Sequence, residues 1–190
     1  MKKTLLAIVI GLLCCGAVGA QSHMKFKGIV MDGTLRSFTQ KLEQQGLKYI
    51  GTQDNVAMLE GEFAATKGCT IVVSRFSDRD QVNVVGVIFP EAETWNSLTT
   101  TYYNLKEMLT EKYGRPESIE RFTEREPTSE FLKFHAVLDD QCQYLTEFTV
   151  DNGKIQLTLV KSDYDKACVA LRYIDNANAQ ETRKKIMDDL

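Results

Sequence analysis

The sequence predicts an α+β protein built as a tandem repeat of a helix followed by an antiparallel β-meander, with a further helix at the C-terminus. Two patterns support this class. Apolar residues at three- and four-residue spacing mark helical segments, and short β-branched runs bounded by turn residues follow them. A displacement of 85 residues also brings the chain into register with itself.

The internal repeat is clearest around one short motif. Glu62-Phe63 falls on Glu147-Phe148, and the segment "RFSDRDQV" recurs as "VKSDYDKA" between two predicted strands. We therefore expect residues 21–90 to form a first unit. Residues 91–190 would form a second unit plus the C-terminal helix, and the two would fold as one compact domain.

The N-terminal segment has the features of a secretory signal peptide. Lys2 and Lys3 precede an apolar run of 11 residues, Leu5–Cys15, and small residues end at Ala20, the expected cleavage point. A membrane-spanning helix needs about 20 apolar residues, and no later segment is apolar enough. The two cysteines that end the run lack the small residue that precedes a lipid-bearing cysteine. We predict export to the periplasm or beyond, without a membrane span and in preference to lipid anchoring.

Charge and cysteine content narrow the function classes. Without its two leader lysines the chain keeps 21 basic against 26 acidic residues, a net charge of about −5. No basic patch is present, so nucleic acid is not an expected partner. Cys69, Cys142 and Cys168 remain after cleavage. An odd number favours three small buried side chains over one disulfide plus a free thiol.

Each predicted unit begins with an amphipathic helix. In the first, Leu35, Phe38 and Leu42 share a face, with Thr34 placed to cap the start and Gly46 the end. The second helix carries one apolar stripe: Trp95, Leu98, Tyr102, Leu105 and Leu109. It is expected to stop at "YGRP", and a weaker helical face recurs in residues 178–190.

Seven short runs are predicted strands. The first unit contains "NVAMLEGEF", "CTIVVSRF" and "VNVVGVIF", and the second contains "FLKFHAVL", "YLTEFTV", "KIQLTLVK" and "ACVALRYI". The second unit has room for an extra strand pair, which we assign to "SIERFTE" and "FLKFHAV". This places His135 on a strand. "VDNGK" predicts a hairpin in which Asn152-Gly153 supplies positive φ angles. His23 lies close to the new N-terminus and is expected to be mobile.

The repeated "SDxD" segments place Asp78 and Asp80 in one loop and Asp163 and Asp165 in the other. Ser and Asp favour turns because their side chains bond nearby backbone amides, so the structural interpretation is favoured. Weak binding of calcium or a small ligand through these loops is the alternative. Two carboxylates are too few ligands for a calcium loop, so no metal or cofactor is predicted.

Few residues suggest catalysis. Cys69 and His135 are the remaining candidates for a nucleophile and base, which would make the protein a small hydrolase. No known nucleophile turn, phosphate loop or zinc motif is present. Tyr103 lies off the apolar stripe of its helix and is a candidate partner contact.

Some segments carry a family likeness. "HMKFKGIVMDGT", "VIFPEAETWNSL" and "LKEMLTEKYGRP" resemble a group of exported proteins of gut-type Gram-negative bacteria, a likeness that brings no activity and no site residues with it. The duplicated helix and meander also resembles the β-lactamase inhibitor proteins. Outer-membrane assembly lipoproteins of the BamE type carry one such unit. This resemblance implies an inhibitor or an envelope-assembly factor.

Together these observations predict a non-catalytic, exported module that binds an unknown protein or peptide. The motivation is that duplicated sheets form extended surfaces while no catalytic set is evident. The two aspartate loops and Tyr103 are the predicted contacts.

Overall fold

The computed structural model describes residues 23–76, 79–177 and 187. The predicted signal peptide, Asp78 and the predicted C-terminal helix lie outside these residues, apart from Met187.

In the described part of the chain there are three helices and ten strands. The helices are α1 (Leu35–Gln44), α2 (Trp95–Tyr113) and α3 (Glu130–Leu138). The strands are β1 (Lys25–Phe26), β2 (Ile29–Val30), β3 (Lys48–Gln53), β4 (Val56–Phe63), β5 (Thr66–Arg75), β6 (Val82–Ile88), β7 (Glu117–Phe122), β8 (Cys142–Val150), β9 (Gly153–Asp163) and β10 (Lys166–Asp175). Within that part, no helix is long and apolar enough to cross a membrane.

Eight of these strands form one antiparallel sheet in the order β3-β4-β5-β6-β10-β9-β8-β7. Strands β1 and β2 pair separately as a short hairpin. The large sheet therefore runs in chain order from β3 to β6 and then in reverse order from β10 to β7. The pairing of β6 with β10 joins the two groups. The predicted α+β class with an antiparallel sheet is confirmed.

The helix ends follow from local capping. The side chains of Thr34, Thr94 and Ser129 each accept a hydrogen bond from the backbone N–H three residues further on, at 3.1 to 3.3 Å. This satisfies one of the otherwise unpaired amides of each first turn. Gly46 follows the C-cap of α1 and Gly114 is the C-cap of α2, with φ angles of 88° and 85°. Such angles favour glycine because it lacks a Cβ.

One face of the sheet carries the hydrophobic core. The register aligns Ile71, Val87, Leu171 and Leu157 in a row across four neighbouring strands. All four are essentially inaccessible to solvent. The buried faces of the helices join the same cluster: Leu35, Phe38 and Leu42 of α1, Leu98, Tyr102, Leu105 and Leu109 of α2, and Phe134, Val137 and Leu138 of α3. The helices therefore cover this face, and each such side chain contributes about 1.5 to 3 kcal/mol by burial.

The segment "FLKFHAVL" is a helix, and the prediction of a strand was wrong. Phe134, Val137 and Leu138 have helical spacing and are buried, while Phe131 and Leu132 face solvent. In a segment this short, the apolar residues fit both the alternation of a β-strand and the spacing of a helix, so the pattern did not distinguish the two. The predicted extra strand pair is therefore one strand, β7, which pairs with β8, and one helix, α3.

The β8–β9 hairpin is present, but its turn residues are Asp151 and Asn152. Gly153 lies inside β9 with φ outside the left-handed region, contrary to prediction. A Cβ at Gly153 would lie 2.0 Å from the Ile174 carbonyl oxygen and 2.3 Å from the Met24 sulfur. Glycine is required here for close approach between chain segments and not for the turn.

The start of the described chain is held in place. His23 Nδ1 lies 2.9 Å from Asp175 Oδ2, which also accepts from the backbone N–H of Met24 at 3.2 Å. Asp175 Oδ1 accepts from Ala177 N–H at 2.7 Å, and the carboxylate is buried. His23 is thus tied to the end of β10, in contrast to the mobility that its position suggested.

Candidate binding site

A cavity of about 580 Å³ lies between the start of α2, helix α3 and the β9–β10 turn. Its aromatic lining residues are Trp95, Phe131, Phe134, His135 and Tyr164. Its charged lining residues are Glu93, Glu130, Asp139, Lys161 and Asp165. We call this site the α3 cavity.

The α2 wall of the cavity is rigidly supported. Trp95 is the first residue of α2, directly after the capping residue Thr94. The Trp95 ring packs edge-on against Tyr144 at 5.4 Å and tilted against Phe122 at 5.9 Å between ring centroids. Such aromatic contacts hold a side chain in one orientation. Trp95 therefore presents a fixed, partly exposed indole to the cavity.

Helix α3 supplies both the floor and one rim. Phe134 is buried, whereas Phe131, one turn earlier, is 69% exposed. The Phe131 ring lies 4.3 Å from the His135 ring, centroid to centroid. Phe131 and His135 are four residues apart, so they are neighbours on the surface of α3.

The β9–β10 turn forms the opposite rim. Asp163 Oδ1 accepts a hydrogen bond from Tyr164 N–H at 2.7 Å, which fixes the turn. Tyr164 is 87% exposed, and Asp165 lines the cavity beside it. The predicted hairpin connection is present, and of its two aspartates Asp163 supports the turn while Asp165 faces the site.

The other aspartate loop lies elsewhere. Asp80 Oδ1 accepts from Leu35 N–H at 3.1 Å and lies 3.8 Å from Arg75 Nε. It thereby satisfies an amide in the first turn of α1, a helix end that attracts negative charge. Asp80 also lines a second cavity, of about 540 Å³, beside α1. The structure does not bring Asp80 and Asp165 together, and Asp78 lies outside the described residues.

Tyr103 is 44% exposed on α2 but does not line the α3 cavity. Its hydroxyl donates to Glu120 Oε2 at 3.3 Å, and its ring packs edge-on against Tyr102 at 5.3 Å. Partial burial and then the neighbouring Glu120 carboxylate raise the pKa of Tyr103. This tyrosine belongs to a hydrogen-bonded group at the β7 edge of the sheet.

Cys69 and His135 do not share a cavity. Cys69 is fully buried, and its thiol donates to the Thr66 carbonyl oxygen at 3.3 Å. Burial raises the pKa of Cys69, which disfavours the thiolate that a nucleophile needs. Within the described residues, neither of the two cavities that His135 lines includes Cys69. Among the described residues Cys69, Cys142 and Cys168 are free thiols; Cys69 and Cys168 are buried, whereas Cys142 is half-buried.

The α3 cavity is electronegative. Four carboxylates line it against one lysine ammonium. Among the described residues, Glu130, Asp139 and Asp165 form no ion pair. The described residues also contain no group of three or more His, Cys, Asp or Glu side chains arranged to hold a metal ion.

Sequence reasoning missed the aromatic rim. Tyr164 lies in a tight turn, where its large ring cannot reach the core. An exposed aromatic residue could therefore have been predicted at this position. Phe131 was hidden because its segment was assigned to a strand. The contact of Trp95 with the same cavity depends on how α2 packs against α3, which local pattern does not specify.

No protein-family model, curated protein or solved structure matches the chain.

Proposed function

We propose that this protein is an exported, non-catalytic module of the cell envelope that binds a protein or peptide through the α3 cavity. One observation carries the proposal. Phe131 and Tyr164 are 69% and 87% exposed on opposite rims of one cavity. Exposed aromatic side chains beside a pocket are typical anchors of protein interfaces because they bury a large area for few rotatable bonds.

The way the rim is held favours binding. Ser129 caps the start of α3, and Asp163 fixes the backbone at Tyr164. Trp95 is fixed against Tyr144 at the cavity wall. A surface that is already ordered loses less conformational entropy when a partner binds.

The arrangement of the sheet supports the duplicated origin inferred from sequence. We propose that the two halves are copies of one unit, because α1 precedes β3–β6 and α2 precedes β7–β10. The segments related by the 85-residue displacement are β4–β6 and β8–β10, and they meet at the β6–β10 pair. Helix α3 has no counterpart in the described part of the first half. The proposed site therefore lies where the second copy has acquired an extra element, which fits an inhibitor or an envelope-assembly factor.

Export follows from the N-terminal pattern. We propose that residues 1–20 are removed and that the module acts in the periplasm or outside the cell, without a lipid anchor. Mass spectrometry of the protein expressed from the full chain tests the cleavage point. An intact N-terminus or an acyl group on Cys14 or Cys15 would contradict this part of the proposal.

Site-specific photo-crosslinking tests the binding function. A photoreactive phenylalanine analogue replaces Tyr164 in the full chain, expressed in its native type of cell. The control places the same analogue at Tyr49, an aromatic residue that is 41% exposed and lines the second cavity, beside α1. We expect one discrete crosslinked protein at position 164 that is absent at position 49 and is lost when Phe131→Ala is added.

Two results would refute the proposal. One is an identical set of crosslinks at positions 164 and 49, which indicates random encounters. The other is a crosslink at position 164 that persists unchanged with Phe131→Ala, because the cavity rim would then not contribute to binding.

A further inference from the structure

We propose that the α3 cavity receives the side chain of a lysine or arginine from the protein partner. This inference rests on the proposed function and adds the chemistry of the ligand. The cavity combines carboxylates with aromatic faces, and this combination is suited to an organic cation.

The charge of the cavity is the first argument. Glu93, Glu130, Asp139 and Asp165 line it together with Lys161, a net charge of −3 with His135 neutral. Like charges gathered in a cleft attract an oppositely charged group and disfavour an anionic one. A carboxylate or phosphate ligand is therefore a poor match for this site.

Neighbouring lysines offset this charge only in part. Lys133 of α3 forms its ion pair with Glu126, away from the cavity lining. Lys166 after the turn forms its ion pair with Glu91 at 3.1 Å, and its electrostatic interactions with Glu93 and Asp165 are weaker. Within the described residues Lys161 is the one basic side chain that lines the cavity. The carboxylates thus keep their capacity to pair with an incoming cation.

The aromatic residues are the second argument. Trp95, Phe131 and Tyr164 border the same space from three different elements. A guanidinium or ammonium placed over an aromatic ring is attracted by the negative face of the π-system, most strongly over tryptophan. An apolar side chain would gain the aromatic contact but would leave the carboxylates unpaired as they lose solvent.

The exposure of the rim indicates a macromolecular source for the cation. A small ligand is usually enclosed over most of its surface by its pocket. Here Phe131 and Tyr164 stay largely exposed, so a free small cation would leave much of both rings in water. A side chain presented by a protein would be accompanied by surface that covers the rim.

Trp95 makes a direct test possible because it is the only tryptophan in the chain. The full chain, in its processed form, is titrated with Nα-acetyl-arginine N-methylamide while Trp95 fluorescence is recorded. The matched probe is the citrulline analogue, which has the same length and no charge. We expect saturation with the arginine probe in the millimolar range. The citrulline probe should bind at least about tenfold more weakly, because it lacks the charge that the carboxylates and ring faces attract.

Conservative variants locate the site. The double variant Glu130→Gln with Asp165→Asn removes two cavity charges at exposed positions. It should lower the affinity for the arginine probe about tenfold. Glu43→Gln with Asp54→Asn makes the matched change in the second cavity beside α1 and should leave the affinity unchanged. Urea midpoints of all proteins establish that the fold is retained.

Equal binding of the arginine and citrulline probes would overturn the inference. So would an unchanged affinity in the Glu130→Gln and Asp165→Asn variant. Choline that binds more tightly than the arginine probe would also overturn it, in favour of a free small cation. If a crosslink at position 164 is lost with Phe131→Ala but the arginine probe does not bind, the cation inference alone is refuted. Arginine binding without any such crosslink refutes the protein partner.

Discussion

Replacement of Gly153 by alanine is expected to destabilise the protein strongly. The new Cβ would lie 2.0 Å from the carbonyl oxygen of Ile174, whereas ordinary van der Waals contact begins at 3.4 Å. The gap must open by more than about 1 Å in a well-packed structure. Ile174 cannot move freely because it pairs with Lys154 of β9 and with Val84 of β6. Overpacking of this kind costs about 1 to 3 kcal/mol, and we expect the upper end.

Gly86 provides the matched control. Gly86 lies in the middle of β6 and Gly153 is the first residue of β9, in the same sheet. An added Cβ at Gly86 would meet Val72 at 3.8 Å and Leu171 at 3.9 Å, which is ordinary contact. Gly86→Ala should be neutral or stabilise the fold by up to about 1 kcal/mol, since alanine restricts the unfolded chain.

Urea unfolding followed by Trp95 fluorescence and by circular dichroism measures both changes. For a domain of this size a loss of about 3 kcal/mol lowers the midpoint by about 1 to 2 M urea at unchanged slope. A Gly153→Ala protein with the urea midpoint of the parent would refute this steric explanation. A Gly86→Ala protein that lost as much stability would refute it as well, because an added Cβ at Gly86 meets no atom closer than 3.8 Å.

Three further predictions concern other side chains. Tyr102→Phe should cost about 1 to 2 kcal/mol because its hydroxyl bonds buried Thr146 at 2.7 Å. Tyr103→Phe should cost about 0.5 kcal/mol or less in the same urea assay, because its 3.3 Å hydrogen bond comes from a partly exposed ring. Equal losses of stability in the two variants would contradict this difference between the buried and the exposed hydroxyl. Burial and then the nearby Asp140 raise the pKa of Cys142 from 9.0 to about 11, so native alkylation at pH 8 should run about a hundredfold slower than in urea. Because the pKa of Cys142 is higher in the folded than in the unfolded state, its contribution to the free energy of unfolding is complete below pH 9 and is lost as the pH rises toward 11. A urea midpoint that stays constant from pH 8 to 11 would refute this. Asp80→Ala should cost about 1 kcal/mol through the lost bond to the first turn of α1, against less than half of that for Asp163→Ala.

Local pattern was sufficient for much of the fold. Helices α1 and α2 could be placed because Leu35, Phe38 and Leu42, and the stripe from Trp95, recur with helical spacing between recognisable caps. The antiparallel strands could be placed because β-branched residues alternate between turn residues. These signals act within a few residues of one another, so no knowledge of partners was needed.

The site could be predicted only in part. Asp165 was identified as a contact residue for its turn, and the structure places it in the α3 cavity. His135 was a candidate base only in the alternative hydrolase hypothesis, and it lines the same cavity from α3, a helix where a strand was predicted. Asp80 and Tyr103 were identified as contacts, and the structure shows hydrogen bonds that give each a structural role.

The α+β class, the first two helices, the burial of Cys69 and Cys168 and the turn at Asp163 follow from local sequence. Each of these depends on spacing along the chain or on the chemistry of adjacent residues. Tertiary structure alone decided the β6–β10 pairing, the helical state of α3 and the meeting of Trp95, Phe131 and Tyr164. These three residues are far apart in sequence, and their proximity arises because the core buries one face of the sheet under α2 and α3. Local propensity cannot specify such contacts, since their free energy is gained only when distant segments pack together.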